Sequence, residues 1–407
     1  MEDKRAVSLK RAAELKAATE GYSEYKKVHP FATSDVVCAE LERKKNEILR
    51  YFDATNDDWN DWKWQLGNRI SDTDILSQFM HFSDKEIAQI EEISNRFRWA
   101  TTPYYLSLMD FSDRTYPINM MAIPSINENI LAGVEDPMDE EHTNPASRIT
   151  RRYPNRLIIN VTSACAMFCR HCQRRRLIGE CDHNAGADEL SQAYEYIRSN
   201  PEIRDVLVTG GDPLLLSDEA LEDILKNLRS IPTVEIVRIG TRVPVTMPQR
   251  VTDDLVNMLK KYHPLYMNLQ FNHPSEVTKD AVNACTKLAN AGIPLGNQMV
   301  FLKGINDNKY TVQMLNEELL KTRVRPYYIF HPKQVIGTGH FQITVKEGLE
   351  IMEYLRGHTS GLAIPQYILN APLGLGKIPL LPEYIIENDD SHVKLRTWEG
   401  QEVNIVY

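Results

Sequence analysis

The stretch from Cys165 to Arg176 constrains this chain more than any other, because its three thiols, spaced CxxxCxxC, must turn toward one point. Three thiolates are one short of a four-thiolate set. The leading reading is therefore an iron–sulfur cluster with one iron left open to bind another molecule. A zinc knot completed by Cys181 or a histidine is the alternative. The chain has 6 cysteines, and the clustering of three of them suits a metal site in a reducing compartment better than a disulfide framework.

The rest of the composition narrows the class. At 407 residues, 42% hydrophobic and 25% charged, the chain is long enough for two or three units around a large core. A net charge of -9 argues against general affinity for nucleic acid. No apolar run follows the opening Met-Glu-Asp-Lys-Arg-Ala-Val, and none elsewhere reaches the roughly 18 residues of a membrane span. The expectation is a cytoplasmic protein that binds neither nucleic acid nor membrane.

Residues 1–146 read as exposed amphipathic helices followed by a linker. Ser83-Asp-Lys-Glu86 is a capping box, and the tryptophans of Asp57–Gln65 read as a packing anchor. The acidic, proline-containing stretch 126–146 reads as the linker. Residues 147–344 form the core. Short β-branched runs begin near Leu157, Asp205, Val234, Tyr266, Pro294 and Arg325, each followed by helical periodicity. Ser217, Thr252 and Ser275 are the expected helix caps. Six βα units fall two short of a closed eight-fold barrel, so the expected fold is an open (β/α)6 barrel with its gap partly covered by the N-terminal helices and the C-terminal segment. Residues 345–407 read as a small C-terminal α/β segment ending in a hairpin.

The unusual residues sit where strands end, which is where barrel enzymes gather their chemistry. They are the cysteine loop, Thr209-Gly-Gly-Asp-Pro213, Thr241-Arg242, Gln270–His273 and His331-Pro-Lys333. Gly210 and Gly211 let the backbone approach a ligand, and Asp212 can accept from an ammonium or a ribose hydroxyl. Arg151, Arg152 and Arg156 suit a phosphate. At least one of Arg174, Arg175 and Arg176 is expected to face a substrate carboxylate, the others being surface charge. Lys377, in Leu373-Gly-Leu-Gly-Lys377-Ile378, lacks the full phosphate-loop spacing but can form a Schiff base with an aldehyde cofactor.

Taken together, these residues resemble the lysine 2,3-aminomutase family of radical S-adenosylmethionine enzymes. The likeness includes Asp58–Gln65, Pro103–Leu108, Pro248-Gln-Arg250, Phe271–Pro274, Pro294–Gln298, Val324–Tyr328, Leu355–Ser360 and the Lys377 loop. It implies a barrel of radical SAM type and an isomerase that exchanges an α-amino group with a hydrogen on the next carbon. It implies a 4Fe-4S cluster on Cys165, Cys169 and Cys172, with S-adenosylmethionine near His171, Gly210, Gly211, Asp212 and Gln270. It places pyridoxal 5'-phosphate on Lys377, the phosphate near Arg152, Tyr153 and Arg156, and the substrate α-carboxylate on Arg174. It also implies an external electron donor such as flavodoxin or ferredoxin, and a homo-oligomer, dimer or tetramer.

The departures from the family pattern are informative. Where the lysine enzymes grip the substrate's distal ammonium with two aspartates, this chain has Lys333 and Asn370. Both changes remove negative charge, which favours a substrate ending in a carboxylate, so conversion of L-glutamate to β-glutamate (3-aminoglutarate) is expected. Gln270 replaces a histidine near the nucleotide. Asn308 replaces a zinc-ligating cysteine and the C-terminal cysteine cluster is missing, so no structural zinc is expected. Lysine or another amino acid as substrate is the enzyme alternative, and a zinc-stabilised binding protein is the alternative from a different class.

Overall fold

In the run that follows Arg156, Leu157, Ile159 and Val161 are buried while Ile158 and Asn160 are half-buried, the period-two pattern of a strand with two unlike faces. The same alternation marks most of the sheet. The computed structural model describes residues 3–178 and 181–407, so Met1 and Glu2 of the opening lie outside the described residues. Its main sheet contains, in spatial and chain order, β1 (Ile149–Tyr153), β2 (Arg156–Thr162), β3 (Asp205–Gly210), β4 (Ile236–Gly240), β5 (Leu265–Leu269), β6 (Leu295–Val300), β7 (Val324–Phe330), β8 (Gln366–Ala371) and β9 (Gly376–Leu380).

Strands β2 to β7 are the six expected units, and all neighbours from β2 to β8 pair in parallel. The flanking pairs β1·β2 and β8·β9 are antiparallel. The barrel stays open because β1 and β9 are the two ends of the strand order. The ends nevertheless approach each other, since a Cβ placed on Gly376 would lie 3.6 Å from Tyr153 Oη. The C-terminal segment thus covers the gap, as expected, but β8 and β9 belong to the barrel sheet itself. Only β10 (Ile385–Asn388), β11 (His392–Arg396) and β12 (Glu402–Val406) form a separate sheet, of three strands where a hairpin was expected.

Tyr22 and Tyr25 of the helix Glu20–Val28 bond to Glu317 and Thr311 on the helix Lys309–Lys321, so this helix lies on an outer helix of the barrel, while Thr102 and Tyr105 bond to Thr246 and Glu276 beyond the strand ends. Ser83, Ser217 and Thr252 cap the helices expected of them. The third cap shifts from Ser275 to Thr278, because Glu276 is drawn inside by Tyr105 and Arg242 and the helix starts only after it. Trp59 is buried beside Tyr104, and Gln65 links their backbones, so the tryptophan-rich stretch packs. Among the described residues, no helix is long and apolar enough to cross a membrane.

The cysteine loop leaves β2 and is fastened at once to the end of β3. Gly211 N donates to Thr162 O at 2.5 Å and Asp212 N to Ala164 O at 2.7 Å. A Cβ on Gly210, whose φ is +128°, would collide with Thr162 O, and one on Gly211 would collide with Ala164 O. These glycines therefore admit the loop's own backbone. Gly211→Ala is expected to lower stability by about 1–3 kcal/mol, read from the urea unfolding midpoint. An unchanged midpoint would mean that the turn does not clamp the loop.

Candidate active site

The cysteine loop has no ladder of its own between β2 and the turn Arg175–Leu177, so side chains must fix it. Buried ion pairs do much of this. Arg170 and Arg175 each lie 2.6 Å from Glu128, which is fully buried. Arg174 pairs with Glu140 at 2.8 Å and Arg176 with Asp136 at 2.9 Å. None of Arg174, Arg175 and Arg176 is the free surface charge expected for one or two of them. The stretch 126–146, read as a linker, supplies the three carboxylates that hold them. Its acids, set against four arginines in the cysteine loop, were the signal available in the sequence.

A second anchor comes from β4. Arg242 donates from Nη1 to Cys169 Sγ at 2.7 Å and from Nη2 to Glu276 at 2.6 Å, while its Nε reaches the Gln270 carbonyl. Tyr105 Oη donates to the same Glu276 at 2.8 Å. Arg242, Glu276 and Tyr105 are all buried. Burial works against the Arg242 charge, but Cys169, Tyr105 and Glu276 hold its pKa well above the usual value. Asp212 accepts from Thr241 Oγ1, Leu214 N and Arg242 N, which leaves little capacity for a ligand's ammonium. Burial pushes its carboxyl up to about 6, against those hydrogen bonds. Gln270 contributes its carbonyl to this network, and its side chain is exposed.

The remaining expected residues converge on the barrel opening. Lys377 faces Asn370 across the β8·β9 pair, and its Nζ lies 5.4 Å from the Tyr153 ring and 5.9 Å from the Tyr328 ring. Arg156 stacks 3.8 Å from the Tyr153 ring. Arg152 Nη2 lies 3.8 Å from Glu140, while its Nη1 is buried without a partner. Arg151 turns away to Glu202 and Tyr196. Burial pushes Lys333 down to about 7, helped by Arg152, Arg174 and Lys377. Lys377 keeps a solvent-accessible side chain, yet surrounding protein lowers it to about 8 together with Arg238, Arg152 and Arg156. The effects of Arg152, Arg174 and Lys377 on Lys333 place all three near it. Arg152, Arg174, Lys333 and Lys377 share one region, with Glu140 as a carboxylate among them.

A cavity of about 370 Å³ opens beside this group, lined by Cys165, Cys172, Arg174, Asn160, Gly210 and Glu140 among others. Buried polar atoms without partners include Asn160 Oδ1, His171 Nδ1, Asn268 Nδ2 and Asn370 Nδ2. Such atoms are costly unless something else binds them. Among the described residues, the only three potential ligands with donor atoms within 4.8 Å of one another are Glu387, Asp389 and His392. Cys181, the possible fourth zinc ligand, is exposed and lies 2.9 Å from His183 Nε2.

This fold and this three-thiol loop define a radical S-adenosylmethionine enzyme, and residues 159–315 match the family described as the radical SAM superfamily. Residues 352–405 match the C-terminal family described as lysine-2,3-aminomutase. The chain is 54% identical over 406 residues to the glutamate 2,3-aminomutase of Clostridioides difficile strain 630, covering 100% of this chain and 96% of that one. It is 47% identical to the L-lysine 2,3-aminomutase of Clostridium subterminale, covering 86% and 84%, and 44% identical to that of Bacillus subtilis strain 168, covering 88% and 77%. The chain belongs to the lysine 2,3-aminomutase family and is an isomerase. That membership brings a 4Fe-4S cluster, S-adenosylmethionine, and the need for a reductant.

Arg242→Gln tests the second anchor. It leaves the buried Glu276 without its cation, and a loss of about 3–5 kcal/mol is expected in urea unfolding. Iron per chain after anaerobic reconstitution should fall with it, and full iron content at unchanged stability would remove Arg242 from the anchor.

Proposed function

We propose that this chain converts L-glutamate to β-glutamate, with pyridoxal phosphate on Lys377 as a further cofactor. The observation that carries the substrate choice is Lys333, set among Arg152, Arg174 and Lys377 with the unpaired amide of Asn370 nearby. A substrate ammonium brought into this region meets like charge, at a cost on the order of several kcal/mol when water is excluded. A substrate with two carboxylates and a cofactor phosphate instead brings anions to a region where Glu140, already paired with Arg174, offsets only part of the positive charge. Lys333 and Asn370 Nδ2 would donate to the distal carboxylate, and Arg174 to the α-carboxylate. Arg152 and Arg156 would hold the phosphate, with the Tyr153 ring beside Lys377.

The partly lowered pKa of Lys377 supports its role, because an amine must be neutral to attack an aldehyde. Cys165, Cys169 and Cys172 would hold the cluster, at which S-adenosylmethionine would supply hydrogen-abstracting radical chemistry, and Lys377 would hold pyridoxal phosphate, which would supply a conjugated system for amino-group migration. The protein's part is to align C3 with the radical source, neutralise the substrate's charges and keep water out. A cluster with an open iron supports a cytoplasmic setting, and flavodoxin or ferredoxin would suit as donor. Exposed Leu373, Leu375, Leu381, Ile385 and Ile386 around β9 and β10 support a homo-oligomer.

Reduced anaerobic enzyme incubated with L-glutamate is expected to yield β-glutamate, and preference for L-lysine would refute the assignment. Lys333→Asp with Asn370→Asp should move preference toward lysine, as measured by the ratio of kcat/KM values. The pH dependence follows from Lys333: its ammonium is present below about 7 and lost above it. Glutamate kcat/KM should therefore decline as pH rises through that value, and Lys333→Arg, which stays charged, should flatten the decline. An identical profile in the variant would contradict the role given to Lys333.

A further inference from the structure

The cysteine loop is met by a second, larger hollow of about 820 Å³, which reaches it from the N-terminal region. Its walls are residues 66–71 and 94–100, and its lining includes Phe168, Cys169 and Arg170, whereas the smaller cavity touches Cys165 and Cys172. A cluster held by these three thiols would therefore border both hollows.

The charge of the hollow is unlike that of the whole chain. Among the described residues it is lined by Arg69, Arg96, Arg98, Arg170, Arg175 and Arg176 against one carboxylate, Glu135, in a protein of net charge -9. Arg170 and Arg175 share Glu128, and Arg69 and Arg98 share Asp182 at 2.7 and 2.8 Å, so each of these carboxylates leaves one positive charge over, while Arg176 is neutralised by Asp136. Arg96 is exposed. The Arg69 and Arg98 guanidiniums lie 5.7 and 4.5 Å from the Phe168 ring, the residue just before Cys169. The chemistry described for the substrate site makes no use of Arg69, Arg96 or Arg98.

We infer that this hollow is the landing site for a small acidic electron-carrier protein with a flavin or iron–sulfur centre. The inference rests on the reading that the thiols hold a cluster. Carboxylates on the carrier meet the arginine rim, which steers the encounter and brings its redox centre against the outer side of the loop. One electron leaves the carrier's centre, which is oxidised by one, and enters the cluster, which is reduced by one. No atom is transferred.

The test uses reconstituted holoenzyme and two reductants, a pre-reduced flavodoxin and dithionite, with bleaching of cluster absorbance as the readout. Arg96→Glu and Arg98→Gln are expected to slow bleaching by flavodoxin by about tenfold, and added salt should slow it in the parent protein. Bleaching by dithionite should be unchanged. Equal rates with flavodoxin in all proteins would overturn the docking site. So would an equal loss with both reductants, since the arginines would then support the cluster instead of the carrier. A preparation with no iron or sulfide would sink the cluster reading itself, which separates the two failures.

Discussion

A loop with no regular backbone pairing must present three thiols in fixed positions, and it does so because its arginines are neutralised by carboxylates out of water. Glu128 binds two of them and Glu140 a third, and both carboxylates are buried. A buried pair of this kind adds little net stability, since desolvation offsets much of the attraction, but breaking it strands a charge in the interior. The geometry is therefore well specified. Backbone contacts from Gly211 and Asp212 fix the start of the loop, and Arg242 reaches its middle thiol.

The same principle, with its sign left open, governs the substrate region. Arg152, Arg174 and Lys377 lower the affinity of the buried Lys333 for a proton, Arg152 also lowers that of Lys377, and Glu140 offsets only part of the charge. An anionic ligand relieves this repulsion. A phosphate and two carboxylates suit such a region, and a free ammonium does not.

Most of the architecture was legible in the sequence. The six β-branched runs identified β2 to β7 because period-two burial leaves a visible trace in residue choice. Strands β8 and β9 were harder to assign to the barrel: exposure along β9 removes the apolar alternation, and pairing across a gap is a long-range fact. The three thiols stood out by residue type, whereas Lys333 and Lys377 gained their meaning from the family resemblance, Lys377 reading by itself as an exposed lysine. Glu128, Glu140 and Glu276 did not stand out, since an acid in a polar stretch reads as solvated until its partner, tens of residues away, is placed beside it. Asp212 shows the converse, its carboxylate bonded largely to its own protein.

The most direct test is an anaerobic crystal structure of the reconstituted enzyme with S-adenosylmethionine, pyridoxal phosphate and L-glutamate. Lys333 Nζ and Asn370 Nδ2 are expected within hydrogen-bond distance of the distal carboxylate, with C3 facing the nucleotide's 5' carbon. A glutamate whose distal carboxylate contacts neither residue, with Lys333 turned to solvent, would contradict it.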